Sequence, residues 1–486
     1  MKKLSSLFII ILLLLSSCQI ESGKAPETTI PTYIADESVT QVYEEFTETT
    51  LNSLPSVIDG SLPSQISDAT TANQPSSQNQ IVTQAGTTAP ATQKVTTPST
   101  QKTTAPTTQK TTVPTTQAKP VVSSSEMRAI WISCYDYTSA AGKTRAQYKA
   151  VTDSMFKTIK SNGFNTAFVH LRANSDAFYK SDIFPYSKYI AGSEGASLSF
   201  DPFEVLLESA KANGISVHGW INPFRVSTQN NVNALSASNP AKKILDSGNA
   251  DGRVCVISNG IYYNPASTEN HKLILDGVRE IINKYDIDGI HIDDYFYPTT
   301  AASFDSAQYN AYKNSGGTLS LSKWRISNVN SFVSALYSTV KAKDSSLIVS
   351  ISPSGQVDKT LNEAYADCRL WLSQKGYADI IIPQIYFGFN HQTEDFNKLL
   401  NQWATLPRHS SVKLVCGIAA YKCAKEDSYA GTGKKEWTQS TDILARQTKA
   451  IRNNKNYSGI AVFSYSDLNR SACKTEIDNM KKEFLS

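Results

Sequence analysis

The chain has 486 residues, with 47 Lys and Arg against 43 Asp and Glu and a formal net charge of +4. So small and dispersed a positive charge gives no support to nucleic-acid binding. None of the 7 cysteines forms a C-x-x-C pair, which argues against a zinc site.

Lys2 and Lys3 precede an apolar run from Leu7 to Leu15, closed by Ser16-Ser17-Cys18. The run is too short for a stable membrane span and has the charged, apolar, small-residue order of a secretory signal. Its end resembles a bacterial lipobox, which predicts a signal over 1–18 and a lipidated Cys18. The protein is then extracytoplasmic and lipid-anchored to a bacterial membrane. An ordinary signal whose boundary contains a cysteine is the alternative. Residues 19–125 are rich in Thr, Ser, Pro and Gln, with near-repeats such as "TTAPTTQKTT". Such a segment buries too little apolar surface to offset its ordering entropy, so it reads as a disordered tether.

From residue 126 to 486 short apolar runs alternate with helical-period segments. Strands are expected at "RAIWISC", "NTAFVHLR", "ISVHGWIN", "DGIHID", "SLIVSISP", "ADIIIPQIY", "VKLVCGIA" and "SGIAVFSY". Helices are expected over "RAQYKAVTDSMFKTIKSNG", over "DPFEVLLESAKANG", which opens on an Asp cap and Pro, and after Lys323. Eight such units predict a (β/α)8 barrel. A doubly wound sheet fits the alternation, but no Gly-rich phosphate loop follows the first strand. The six cysteines of this region sit in or near apolar runs and read as packing residues, although export leaves a disulfide open.

Catalytic groups of a (β/α)8 barrel lie at the C-terminal ends of its strands. There the sequence places Tyr135-Asp136-Tyr137, His170-Leu171-Arg172, Trp220-Ile221-Asn222, Arg225, Asp293-Asp294-Tyr295-Phe296-Tyr297, Gln384, Tyr386, Tyr421 and Tyr465. Sugar faces stack on rings, and sugar hydroxyls pair with amides, carboxylates and guanidinium groups, so this set suits a carbohydrate cleft. Ordinary aromatic packing is the competing explanation.

On the fourth strand, "DGIHIDDYFYP", the side-chain period of two puts Ile290 and Ile292 toward the helices and His291 and Asp293 toward the barrel axis. Asp294 then turns into the mouth. Two adjacent acids in a poorly solvated cleft separate in pKa, leaving one charged and the other protonated. A structural cap on the following loop is the alternative for Asp294.

The blocks "RAIWIS", "HLRANSDAFYKSDIFPYSKYIAGSEG", "FDPFEVLLESAKANGISVHGWINPFRV", "YDIDGIHIDDYFYP", "WRISNVN", "ISPSG" and "ADIIIPQIYF" resemble, in order, those of glycosyl hydrolase-like family ten. The resemblance implies a bacterial exported glycosidase-type barrel, similar to enzymes that cleave peptidoglycan glycan strands stripped of peptides. It implies that Asp293 and Asp294 are the acidic pair, that Arg172 and Asp176 form its "R...DA.Y" block, and that Asn222, Arg225, Gln384 and Tyr386 line the cleft. The fourth strand is also similar to the chitinase-type motif D-G-x-D-x-D-x-E. Here His291 replaces the middle Asp and Tyr295 the catalytic Glu. With an ordinary pKa near 10, tyrosine is a poor general acid at neutral pH. If the substrate's acetamido group serves as nucleophile, the proton must come from Asp294 or from another strand.

Two-carboxylate hydrolysis needs a partner across the scissile bond. Asp136 and Asp176 are the favoured candidates; Asp467, a cap candidate for the last helix, and Glu426 are weaker. The expected catalytic set is therefore Asp293, Asp294, Asp136 and Asp176. Substrate contacts are expected from Arg172, Trp220, Asn222, Arg225, His291, Tyr295, Gln384, Tyr386, Tyr421 and Tyr465. No metal or cofactor is expected, since His170, His218 and His291 lack ligand spacing. Two functions compete: an endo-acting glycoside hydrolase on a cell-wall glycan, and a glycan-binding lipoprotein that kept the cleft without turnover. Two adjacent acids at the mouth favour the enzyme.

Overall fold

The computed structural model describes residues 126–486; the expected signal, Cys18 and the 19–125 segment lie outside them. In chain order the elements that position the mouth are β1 (Met127–Ile132), α1 (Arg145–Ser161), β2 (Thr166–Arg172), α2 (Pro202–Ala212) and β3 (Ser216–Ile221). Next come β4 (Arg225–Ser227), β5 (Val254–Ile257), β6 (Gly260–Tyr263), α3 (Thr268–Lys284), β7 (Gly289–Ile292) and α4 (Leu321–Lys343). Then follow β8 (Ile348–Ile351), α5 (Val357–Glu363), β9 (Ile380–Ile381), α6 (Phe396–Thr405) and β10 (Lys413–Ala419). The chain ends with α7 (Ile443–Asn453), β11 (Tyr457–Phe463) and α8 (Lys474–Leu485).

Eight parallel strands close in the order β1-β11-β10-β9-β8-β7-β3-β2. Closure through β1 and β11 rules out the doubly wound sheet, and all eight expected strands are present. The caps are those the sequence spells. Thr144 Oγ1 and Gln147 exchange bonds at the start of α1, and Asp201 accepts from Phe203 N–H ahead of Pro202 in α2. The helix expected after Lys323 begins two residues earlier, because Ser320 Oγ caps it by accepting from Lys323 N–H at 3.4 Å.

Alternation sorts the side chains as expected. Ile290 and Ile292 join the layer between sheet and helices, whereas Trp131, Phe168, Trp220, Ile380, Ile382 and Phe463 fill the barrel interior. Gly289 is required at the foot of β7, since a Cβ there would stand 2.3 Å from the Ile348 carbonyl oxygen. β9 is short because Pro383 lacks an N–H. Pairing resumes at Gln384, which bridges Ser354 and Gly417, so residues 380, 382, 384 and 386 keep one inward phase.

The sequence reading missed a three-stranded antiparallel sheet, β4-β6-β5, inserted between β3 and α3. Its strands of three or four residues are too short to show a period, and they carry Arg225. Among the described residues no helix is long and apolar enough to cross a membrane.

Candidate active site

The inward side chains stack in layers toward the strand ends. His291 lies face to face with Phe168, with centroids 4.2 Å apart and planes at 17°. Trp131 Nε1–H donates to His291 Nε2 at 3.0 Å, and His291 Nδ1 stands 2.9 Å from Ser350 Oγ. An indole N–H only donates, so Nε2 accepts, the ring proton sits on Nδ1 and the imidazole is neutral. Burial, then the neighbouring His218, holds it well below the usual histidine range. His291 was expected to touch substrate; it is fully buried and belongs to the packed interior.

In the next layer His170 stacks on Trp220 at 3.6 Å and 6°, and its Nδ1 accepts from Cys134 N–H at 3.2 Å. Trp220 Nε1–H donates to Asp293 Oδ2 at 3.1 Å, while Tyr295 N–H lies 3.4 Å from Oδ1. Trp220 is itself buried, so it positions Asp293 and offers no open face for a sugar.

The two acids differ in setting. Asp293 is 3% exposed, whereas Asp294 keeps part of its surface open. Burial and then the Asp294 charge push Asp293 well above the ordinary carboxylate range, against the pull of Arg225 and its two donors. Burial pushes Asp294 up to about 6, moderated by a hydrogen bond from Gln384 and by the charges of Lys359 and Arg225. Both carboxyls of the pair are therefore harder to ionise than ordinary ones, because each is buried and the charge of Asp294 opposes that of Asp293. Gln384 Nε2 donates to Asp294 Oδ1 at 3.3 Å and to the Ser352 carbonyl at 3.0 Å, which fixes its amide as a support for the acid.

Arg225 sits among three carboxylates, lowering Asp176, Asp293 and Asp294 alike. Its guanidinium covers the half-buried Tyr295 ring at 4.5 Å, and Nε donates to the Ala173 carbonyl at 3.0 Å. Arg172 and Asn222, also expected to bind substrate, are buried, and their side-chain N–H groups meet backbone carbonyls. Arg172 donates to the carbonyls of Asn222 (2.9 Å) and Pro223 (2.6 Å), and Asn222 Nδ2 approaches that of Ala173 at 3.3 Å. They buttress the loops after β2 and β3.

The favoured partner acids are held in their own loops. Asp136 Oδ2 accepts from Ser133 N–H at 2.7 Å and Ser133 Oγ at 3.0 Å, and burial raises it to about 7. Asp176 is buried, accepts from Asn174 N–H at 3.1 Å and a Ser187 hydrogen bond, and is raised by burial. Asp467 repeats the Asp136 turn after β11, accepting from Ser464 N–H at 3.2 Å. It caps the short helix Tyr465–Leu468 instead of the last one. Glu426 pairs with Lys434 at 2.9 Å on the surface.

Of the expected rings, Tyr295 and Tyr465 keep accessible surface, whereas Tyr386 and Tyr421 are buried against each other at 5.9 Å and 84°. The remaining rings of "DDYFYP" are structural. Phe296 packs on Trp371, and Tyr297 lies beneath the Arg325 guanidinium, which pairs with Asp305 at 2.6 Å in full burial. Sequence reasoning missed Lys359, beyond the fifth barrel strand on α5, because nothing local ties a helix lysine to an acid on β7. Among the described residues no cluster of three His, Cys, Asp or Glu is placed to hold a metal.

A model of the glycosyl hydrolase-like 10 family matches residues 126–435. Glycosyl hydrolase YngK of Bacillus subtilis (strain 168) is 30% identical over 371 residues, covering 72% of this chain and 70% of that protein. Glycosyl hydrolase DigH of Escherichia coli (strain K12) is 28% identical over 335 residues, 62% of this chain and 74% of that one. The glycoside hydrolase domain of PgaB (BpsB) from Bordetella bronchiseptica superposes with a TM-score of 0.49 at 14% identity, covering 73% of this chain and 99% of that domain. Since the family match runs from the first barrel strand past the seventh, this chain belongs to the glycosyl hydrolase-like 10 family.

Proposed function

We propose that the protein is a surface-anchored, endo-acting glycoside hydrolase of cell-wall glycan, with peptidoglycan strands stripped of their peptides as substrate. The observation that carries this is the adjacent pair Asp293 and Asp294, held by Trp220 and Gln384 and both raised by burial, at the strand ends of a glycosidase-type barrel. Asp294, the more open of the two, delivers the proton to the leaving glycosidic oxygen and takes one back from water. Asp293, inside, orients the reacting sugar. Asp136 and Asp176 are already engaged in their loops, which favours attack at the anomeric carbon by the carbonyl oxygen of the substrate's own acetamido group. Arg225, Tyr295 and Tyr465 bind the glycan. The family resemblance supports the substrate; the basic-apolar-LSSC leader supports a lipid anchor at Cys18 with residues 19–125 as its tether.

The test is release of reducing ends by the detergent-solubilised full chain from glycan strands with and without stem peptides. Turnover on stripped strands, and little on peptide-bearing ones, is expected. Binding without new reducing ends would instead make the protein a glycan-binding lipoprotein. Cys18→Ala should move it from the membrane to the soluble fraction with turnover unchanged.

A further inference from the structure

The loops that follow β10 and β11 are joined by a group of side chains that the glycan site does not use. Cys423 lies two residues beyond Tyr421, and Cys473 directly precedes α8; both are buried. Their thiols stand in hydrogen-bonding contact with each other. Cys473 Sγ also lies 3.5 Å from the Cys423 carbonyl oxygen, across 50 residues of sequence. Arg470 spans the two segments. Its Nε donates to Cys473 Sγ at 2.8 Å, and its terminal nitrogens donate to the carbonyl oxygens of Tyr421 (3.3 and 3.2 Å) and Cys423.

We propose that Cys423 and Cys473 are a disulfide-forming pair, with Cys473 the attacking thiol and Arg470 its cationic support. Thiolate nucleophiles arise beside arginine, and the two cysteines are not equivalent in this respect. The hydrogen bond from Cys423, then Arg470, brings the Cys473 thiol down to about 7, whereas burial pushes Cys423 well up. By contrast, Cys134 and Cys416 lie buried with raised thiols, and Cys255 faces the Phe304 carbonyl oxygen at 3.5 Å.

The chemistry is thiol–disulfide exchange with a disulfide oxidant, either a small molecule or an exported protein. Cys473 thiolate attacks one sulfur of that disulfide, and the other leaves as a thiolate. Cys423 gives its proton to the departing thiolate and attacks the Cys473 sulfur of the mixed disulfide, expelling the second thiolate. Two electrons pass to the oxidant, which departs as two thiols with the protons of Cys423 and Cys473. Because both sulfurs are buried, the exchange proceeds as α8 docks or when it opens locally. The product closes a long loop and ties the Tyr421 segment at the end of β10 to the segment after β11, so it should stabilise this part of the barrel rim. The inference does not depend on the glycan reading.

The experiment treats the purified, fully reduced full chain with oxidised glutathione, alkylates it during unfolding and digests it with trypsin. Fragments 423–425 and 471–474 should appear as one cross-linked peptide that dithiothreitol splits, while Cys134 and Cys416 stay alkylated. Reduction should lower the melting temperature of the oxidised wild type by about 5 °C and leave the Cys423→Ser/Cys473→Ser chain unmoved. Full alkylation of both thiols after treatment, or a glutathione adduct on Cys473 that Cys423 never displaces, would overturn the proposal.

Discussion

Two kinds of acid stand at the strand ends of this barrel. Asp136 and Asp467 close Ser-x-x-Asp turns after β1 and β11, and the side-chain donor of each is the serine three residues before it, with Asp136 also accepting from the Ser466 backbone. Asp293 and Asp294 add to backbone N–H groups of their own loop a side-chain donor from another strand: Trp220 on β3 for the first, and Gln384 beyond β9 for the second. Burial raises all four, so a raised pKa does not distinguish them. The origin of the donors does. A carboxylate satisfied by its own turn stabilises that turn, whereas one held by separate strands is oriented by the whole barrel and stays available to a ligand.

The sharpest way to break this comparison is to neutralise one acid of each kind. Asp294→Asn should lower turnover about a hundredfold or more with little change in melting temperature, whereas Asp136→Asn should leave turnover nearly intact. Wild-type turnover should decline as pH rises through about 6, where Asp294 loses the proton it donates, and the residual rate of Asp294→Asn should lack that step. Equal losses in the two variants, measured as initial rates against pH, would remove the distinction drawn from the donors.

A smaller effect is expected at Trp220. Trp220→Phe keeps a ring against His170 but deletes the N–H that holds Asp293, so turnover should drop about tenfold with the Michaelis constant little changed. A variant that raises only the Michaelis constant would mean that Trp220 touches substrate after all.

The smallest effect concerns stability. Asp136 titrates near 7 in the folded chain and near 4 when unfolded, so the folded state binds the proton more tightly. Its contribution is complete below about pH 4 and is lost as pH rises through about 7. Asp136→Asn should therefore flatten part of the fall in melting temperature between pH 4 and 8, and an unchanged slope would count against the buried cap.

The stretch "DDYFYP" shows how much of the site was legible. Its alternation correctly turned Asp293 inward and the isoleucines outward, because a strand's period is a local property. Of its rings the sequence reading named only Tyr295 as a substrate contact, and Tyr295 lies half-open under Arg225 while Phe296 and Tyr297 lock the loop against Trp371 and Arg325. His291, Arg172 and Asn222 look identical in sequence whether they face a ligand or a neighbouring backbone. The settings that the sequence did not reveal are therefore those of residues whose burial depends on what another strand presents.

By itself the sequence determined the eight barrel strands, their inward and outward faces and the helix caps, since periodicity and cap chemistry act within a few residues, and its ordered blocks carried the resemblance to the family. Only the tertiary structure decided which polar groups are spent and which stay available. Trp131 meets His291 across 160 residues, Gln384 meets Asp294 across 90 and Trp220 meets Asp293 across 73. A carboxyl's pKa follows from its desolvation and its nearest donors and charges, and barrel closure brings those together from distant parts of the chain.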